Sequence, residues 1–361
     1  MFGLYLHIPY CAAKCRYCDF YSAACRGGVP DAYVDALCRE MDRFSPCGST
    51  PLRPDTLYFG GGTPSLLTPA QTARLIDAAG PVPGAEITLE ANPETVSPQT
   101  LAAYRQAGVN RISFGVQSAS DVQLARLGRR HTAAQSRLAL QWAREAGFEN
   151  ISSDVMLALP GYTPDEMNAT LELLAEGGCT HISSYLLKIE PNTVFGRKPP
   201  ENLPDDDAAA DFYLAAVERL AQLGYAQYEI SNFARPGFEG RHNRNYWECG
   251  DYLGLGPTAH SCMGGRRFYT PAGTAAFCRT PADYTDDGTC TAEDFVMLQL
   301  RLTSGLSLAR LRREWGVEWD AKKRAFAARL CQNGLARLEG DVFSLTPRGM
   351  LVQNSILVEL L

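Results

Sequence analysis

The sequence predicts an α/β protein built on a parallel sheet, followed by an irregular linker region and a small winged-helix-like domain. Three observations lead there. Six short apolar runs alternate with helical stretches over the first part of the chain. That regularity stops near residue 226. A group of helical patterns and a short hairpin then close the sequence. Alternation at short spacing is the mark of βαβ units, and six such units make a barrel, a partial barrel or a doubly wound sheet. The boundaries predicted are 1–230, 231–290 and 291–361.

The elements follow in order. Residues 3–8 (GLYLHI) read as a buried strand and 31–44 as a helix with Asp31 at its N-cap. Strand 55–60 leads to helix 68–80, where Thr68 caps and Pro69 takes the first helical position. Strand 86–92 and helix 97–108 come next, then strand 111–116 and helical patterns at 120–127 and 132–146. Strand 151–160 precedes helix 163–178, and strand 181–187 precedes helix 206–225. The strands read as apolar runs and not as strict alternators, as expected when both faces are covered. Residues 231–290 are rich in glycine, aromatic and polar residues. The aromatics there, including Phe233, Tyr246, Trp247 and Tyr252, argue against disorder. Helices are predicted at 292–303, 307–315, 320–333 and 347–359, with two short strands around Gly340 and Asp341.

Composition narrows the function. The 361 residues are 45% hydrophobic and 20% charged, which excludes a disordered or fibrous chain. Lys and Arg number 34 against 40 Asp and Glu, a net charge of −6. No nucleic acid is expected as a partner on that balance. Arg310, Arg312, Arg313, Lys322, Lys323, Arg324 and Arg329 do cluster near the C-terminus; the expected reading is a solvated face. No apolar run reaches the roughly 18 residues of a membrane span, and the first residues lack the pattern of a secretory signal. A cytoplasmic location is expected, with peripheral membrane contact left open.

Twelve cysteines are present. Cys25, Cys38, Cys47, Cys179, Cys249, Cys262, Cys278, Cys290 and Cys331 are scattered. Cys11, Cys15 and Cys18 are crowded on a loop after the first strand. No fourth Cys or His stands at a zinc-ribbon or finger distance, and a redox pair needs only two thiols. Three thiolates on one tight loop can hold three irons of a four-iron cluster, leaving the fourth iron open to a small molecule.

The spacing CxxxCxxC with Tyr17 before the last cysteine resembles the signature of the radical S-adenosylmethionine (SAM) superfamily. The longer string from Tyr5 to Phe20 resembles one branch of it, which contains the oxygen-independent coproporphyrinogen III oxidases and a family of heme chaperones. The resemblance runs over essentially the whole chain. It implies a partial (β/α)6 TIM-like radical SAM barrel, a [4Fe-4S] cluster on Cys11, Cys15 and Cys18, and SAM chelated to the open iron and reductively cleaved there. It carries SAM contacts onto Tyr5, Tyr17, Gly61, Gly62, Thr63, Glu90, Gln117, Arg129 and Asp154. The run Gly60-Gly61-Gly62-Thr63-Pro64 fits that role, since glycines let backbone approach a ligand closely.

Two members of the branch differ where this sequence is informative. The oxidases carry a further cysteine two residues after the third, where this chain has Phe20, and an N-terminal arm for which residues 1–10 leave no room. The chaperone pattern has CDF after the cluster and a later HNxxYW motif, matched here by Cys18-Asp19-Phe20 and His242-Asn243-Arg244-Asn245-Tyr246-Trp247. The expectation is therefore a heme chaperone, with heme as cargo and acceptor hemoproteins as partners. The alternative is a radical SAM oxidase that decarboxylates porphyrinogen propionates. Nucleotide modification is a third reading, favoured only by the basic tail. His242 is expected either to ligate heme iron or to brace a loop at the barrel mouth; His260 is a weaker ligand candidate and His7 a structural residue.

Overall fold

The six expected barrel strands are β1 (Phe2–Ile8), β2 (Thr56–Gly61), β3 (Glu86–Ala91), β4 (Arg111–Gln117), β5 (Asn150–Leu157) and β6 (His181–Leu186). They are seen in a computed structural model that describes residues 1–25, 27–45, 50–279 and 281–361. Cys47 and part of the loop expected at 45–54 lie outside the described residues. The strands run parallel in chain order from β1 to β6. Helices α1 (Asp31–Phe44), α2 (Pro69–Ala79), α3 (Pro98–Gln106), α4 (Asp121–Leu127), α5 (Ala133–Glu145) and α6 (Pro164–Glu176) make the crossovers, and α7 (Asp206–Gln222) follows β6.

Capping explains where several helices start. Thr68 accepts from the Gln71 N–H and Gln71 returns the bond, a full capping box with Pro69 in the first turn. Asp31 is not the cap of α1. Pro30 holds that place, and Asp31 is the first helical residue, where its carboxylate faces the positive end of the helix dipole.

The strands also alternate more than an apolar run implies. In β4, Ile112, Phe114 and Val116 pack into the core under the helices, while Arg111, Ser113, Gly115 and Gln117 turn toward a cavity. The inner face of the sheet is a polar wall, so the period of two survives inside a buried strand.

Residues 231–290 are where periodicity and structure part company. β7 (Ala226–Gln227) and β8 (Asn232–Ala234) extend the sheet antiparallel beyond β6. After α8 (Arg241–Trp247), strand β9 (Asp251–Leu255) runs parallel to β1 on the side away from β2, with Phe2 opposite Asp251 and Leu6 opposite Leu255. β10 (His260–Met263) and β11 (Arg266–Tyr269) form a hairpin; helix α9 (Thr274–Arg279) follows, and β12 (Thr285–Thr289) completes this edge. Among the described residues the sheet has 12 strands in the order β12-β11-β10-β9-β1-β2-β3-β4-β5-β6-β8-β7. It is open, with seven central parallel strands. These extra strands are two to five residues long, too short for an alternation to register. Gly264 and Gly265 make the hairpin turn, both at positive φ (56° and 76°), as such a two-residue turn requires.

The C-terminal part has its own core, centred on Phe295, Leu306, Leu311, Trp319 and Phe343. Its elements are α10 (Ala292–Gln299), β13 (Leu306–Ser307), α11 (Leu308–Trp315), α12 (Ala321–Gln332), β14 (Ala336–Glu339), β15 (Val342–Leu345), α13 (Pro347–Leu351) and α14 (Gln353–Leu360). The three strands form a small antiparallel sheet, β13-β15-β14. The basic cluster is largely neutralised by its own acids: Arg310 and Arg313 pair with Glu314, Arg312 with Glu318, and Lys322 with Glu359.

One buried carboxylate ties the later strands to the barrel. Glu40 on α1 is fully buried. It accepts from the Ala282 N–H and the Tyr284 hydroxyl, each at 3.0 Å, and pairs with Arg43 at 3.4 Å. Glu40→Ala strands those donors in a dry site. It should lower stability by about 3 kcal/mol, read as a lower urea midpoint with an unchanged m-value; an unchanged midpoint would refute the role.

Candidate functional site

The cysteine loop is tied down before any ligand arrives. Tyr10–Cys11 and Ala23–Ala24 pair as a two-residue parallel ladder at its base. The Cys25 N–H donates to the Cys11 carbonyl at 2.8 Å. In mid-loop, the Arg16 N–H donates to the Leu127 carbonyl at 3.0 Å and the Phe195 N–H to the Arg16 carbonyl at 2.9 Å. Lys14 Nζ crosses to the Phe20 carbonyl at 3.0 Å. Cys11 is buried; Cys15 and Cys18 are half-buried.

All three thiols open onto one cavity of about 540 Å³, walled by the inner faces of the barrel strands. Two of them already receive donors. Arg129 reaches Cys15 Sγ at 3.4 Å and also bonds the Gly115 carbonyl; a Cβ on Gly115 would collide with that guanidinium. Burial opposes the Arg129 charge, but Tyr17 and Cys15 hold its pKa above the ordinary value. Thr63 Oγ1 donates to Cys11 Sγ at 3.5 Å and accepts from Asn92 Nδ2 at 3.3 Å. Burial pushes the Cys18 thiol up.

The glycine run packs against the cysteine loop. The Gly62 and Thr63 N–H groups donate to the Ile8 and Tyr10 carbonyls. A Cβ on Gly62 would sit 2.6 Å from the Tyr10 carbonyl oxygen, and one on Gly61 (φ +115°) 2.6 Å from the His7 ring. The fold demands these two glycines whether or not a ligand also does.

Two carboxylates share the far side of the cavity. Glu90 accepts from the Tyr58 hydroxyl at 2.8 Å and the Gly61 N–H at 3.2 Å. Burial, then the neighbouring Asp154, raise its pKa to about 7. Asp154 is raised as well, chiefly by burial, against the pull of Ser183 and two arginines. Arg111, buried beside them, leaves its Nε without a hydrogen-bond partner among the described residues. Gln117 ends β4 in a left-handed conformation (φ 67°), where the register with β5 slips. A buried non-glycine residue held there is strained, as residues at binding sites often are.

Of the residues named from sequence, Cys11, Cys15, Cys18, Tyr17, Gly61, Gly62, Thr63, Glu90, Gln117, Arg129 and Asp154 all line this cavity. Tyr5 does not. Its hydroxyl meets His7 Nδ1 at 3.0 Å, its ring stacks on Tyr58, and it faces a second cavity. His242 lines neither cavity. It is buried, with Nδ1 against Thr56 Oγ1 at 2.8 Å and Nε2 against the Tyr246 hydroxyl at 2.6 Å. Burial lowers its pKa to about 3, so the ring is neutral and both nitrogens are engaged. That is the geometry of a brace. Sequence reasoning missed Tyr58, Asn92, Arg111 and Asn243 on the cavity wall. Alternation along β2 and β4, counted from Gly60 and Gln117, points to Tyr58 and Arg111.

The second cavity, of about 490 Å³, lies across the Tyr5–Tyr58 stack. Its walls include Tyr246, Trp247, Tyr252, Met297 and Leu298. Phe20, 70% exposed, borders both cavities.

Among the described residues no three His, Cys, Asp or Glu side chains converge on a point as ligands of a single ion would. A four-iron cluster presents its irons at separate corners. Three thiols spread around a cavity, two of them already given donors, fit that group.

Three thiols on a braced loop at the mouth of a partial parallel barrel define the radical SAM class, and the first 174 residues agree. The Radical SAM superfamily profile matches residues 5–174, and that of the HemN C-terminal domain matches 291–352. Beyond that class, the chain is 36% identical to the heme chaperone HemW of Mycobacterium tuberculosis, covering 100% of this chain and 95% of that protein. It is 34% identical to the heme chaperone HemW of Bacillus subtilis, covering 99% and 98%. The chain belongs to the HemW family. The solved structure of coproporphyrinogen III oxidase (HemN) from Escherichia coli shares the fold, with a TM-score of 0.84 at 24% identity over 99% of this chain and 89% of that one.

Glu90 yields a pH test on ligand-free protein. Its folded pKa of about 7 exceeds the ordinary 4.5, so the native state binds more protons than the unfolded state between those values. Its contribution to stability therefore falls as pH rises through that window. Relative to Glu90→Gln, the wild type should lose roughly 3 kcal/mol between pH 4.5 and 7.5, measured by urea unfolding at both values. A pH-independent difference would contradict the buried-pair assignment.

Proposed function

We propose that this protein is a heme chaperone of the cytoplasm, which binds heme and passes it to acceptor hemoproteins. The observation that carries the reading is the end-to-end match to relatives bearing that name, with 95% and 98% of their lengths covered. A flat apolar cargo also suits the second cavity, whose aromatic walls lie within reach of the HNxxYW helix.

Cys11, Cys15 and Cys18 would hold a [4Fe-4S] cluster. SAM would lie in the same cavity, where Glu90, Asp154, Gly61, Gly62 and Thr63 are candidate contacts. Tyr17, Gln117 and Arg129 are the remaining candidates on that wall. When bound, the cluster and SAM supply one-electron chemistry. The chain's own residues do the rest: Arg129 keeps a positive charge at Cys15, the ladder at the loop base holds the thiols in place, and Tyr58 fixes Glu90. His242 serves as the brace that keeps Tyr246 and Trp247 at the second cavity. Tyr5 acts as the partition between the two cavities.

The oxidase reading is disfavoured by Phe20, which stands where that enzyme has a further cysteine. Anaerobic reconstitution tests both. The purified protein should gain one four-iron cluster, lost in Cys11→Ala, Cys15→Ala or Cys18→Ala. It should bind heme and leave coproporphyrinogen III unchanged with SAM and reductant present. Conversion to protoporphyrinogen IX at a catalytic rate would overturn the proposal.

His242→Ala separates brace from ligand. A brace variant keeps the iron and sulfide content of the wild type but loses about 2 kcal/mol of stability, with its buried partners Thr56 and Tyr246 left unpaired. A variant of unchanged stability whose heme spectrum is altered would restore the ligand role.

A further inference from the structure

The second cavity holds a feature that neither the cluster nor the HNxxYW motif accounts for. Cys262, on β10, and Cys290, one residue before the N-cap of α10, face each other in its wall with Sγ atoms 3.1 Å apart. Cys249 lines the same cavity. Of the other iron-binding side chains nearby, His7 has both ring nitrogens engaged, by the Tyr5 hydroxyl and the Tyr21 carbonyl. His260 stacks on Tyr269 with more than half of its side chain in solvent.

We propose that Cys290 is the axial ligand of heme iron in this cavity, with Cys262 donating a hydrogen bond that holds the Cys290 sulfur in place. The inference rests on the heme-chaperone reading and assigns that reading its binding site.

Three observations divide the roles between the two thiols. Cys262 is almost fully buried, whereas Cys290 is only partly so. Two thiols in contact do not both ionise, because the second charge would form against the first. The deeper burial of Cys262 suits it to the supporting hydrogen bond and leaves the more open Cys290 sulfur to face the iron. The Cys290 backbone is anchored, its N–H donating to the Gly265 carbonyl at 2.8 Å. This is the arrangement of a ligand sulfur with a donor behind it, which orients the ligand and tunes the metal.

The step balances without a redox partner. The Cys290 S–H gives its proton to solvent, and the sulfur lone pair fills one coordination position of ferric heme iron. The macrocycle then lies against Tyr246, Trp247 and Tyr252, an aromatic surface suited to a flat apolar ring.

The test is titration of ferric heme into the protein carrying its iron–sulfur cluster, followed by the absorption and electron paramagnetic resonance spectra of the bound heme. The wild type should show one heme with a thiolate-ligated signature. Cys290→Ser should lose that signature and bind at least ten-fold more weakly. Cys290→His should exchange it for a nitrogen-ligated one. Cys262→Ala should keep thiolate ligation with a shifted Soret band. Cluster content reports that each variant is folded. A wild type that binds heme with an unchanged thiolate signature in Cys290→Ser, or with a histidine signature lost in His260→Ala, would overturn this assignment and leave the chaperone reading standing. A wild type that binds no heme would overturn both.

Discussion

The contact on which the rest of this architecture depends is the one between His242 and Thr56. Thr56 is the first residue of β2 and pairs with Gly3 of β1. A Cβ on Gly3 would lie 3.2 Å from the Thr56 hydroxyl and 3.3 Å from the His242 ring, so the bare glycine is what lets the imidazole reach. The Glu86 carboxylate on β3 accepts the Arg241 and His242 N–H groups at the start of α8, which satisfies donors that a helix leaves open. α8 is thereby seated across the ends of three strands. Asn245 then takes the Asp251 carbonyl at 2.9 Å, and β9 is delivered beside β1. The neutral ring is essential to this. A protonated imidazole would donate from both nitrogens in a dry site that also holds Arg111, and burial with that neighbouring charge keeps its pKa near 3.

The same contact links two cavities of opposite character. The His242 ring stacks on Tyr58 at 5.0 Å, and the Tyr58 hydroxyl holds Glu90. One turn on, the Tyr246 hydroxyl meets the other nitrogen of the ring and borders the second cavity. Asn243, between them in sequence, lines the first. The HNxxYW motif is therefore a partition: its histidine anchors, and its flanking residues face different chambers. One chamber carries Glu90, Asp154, Arg111 and Arg129 and suits a zwitterion. The other is mainly aromatic and apolar and suits a flat hydrophobic molecule.

What could be read from the sequence was what is local. The cysteine triplet spans eight residues, and its chemistry follows from its spacing. The capping box at Thr68 and the apolar core of each barrel strand are likewise set by near neighbours. β9 escaped because its partner is β1, nearly 250 positions earlier in the chain, and five residues carry no period of their own. The inner wall escaped in part for the opposite reason. Arg111, Ser113, Gly115 and Gln117 do alternate, but Ile112, Phe114 and Val116 between them dominate the hydrophobic signal. The strain at Gln117 leaves no trace in composition. Tyr5 lines the second cavity and not the first, a placement that strand periodicity does not specify because it gives only the face of a side chain.

Phe20 joins these threads. It stands two residues past the last cysteine, on a loop held by Lys14 at its own carbonyl, yet its ring is 70% exposed. Burying that ring is worth about 2 kcal/mol, and a flat molecule in the second cavity lies within its reach. A cysteine at this position would bring another thiol to the cluster chamber. A phenyl instead makes the border apolar from both sides. Phe20 thus gives the cysteine loop an apolar edge on the side of the neighbouring chamber.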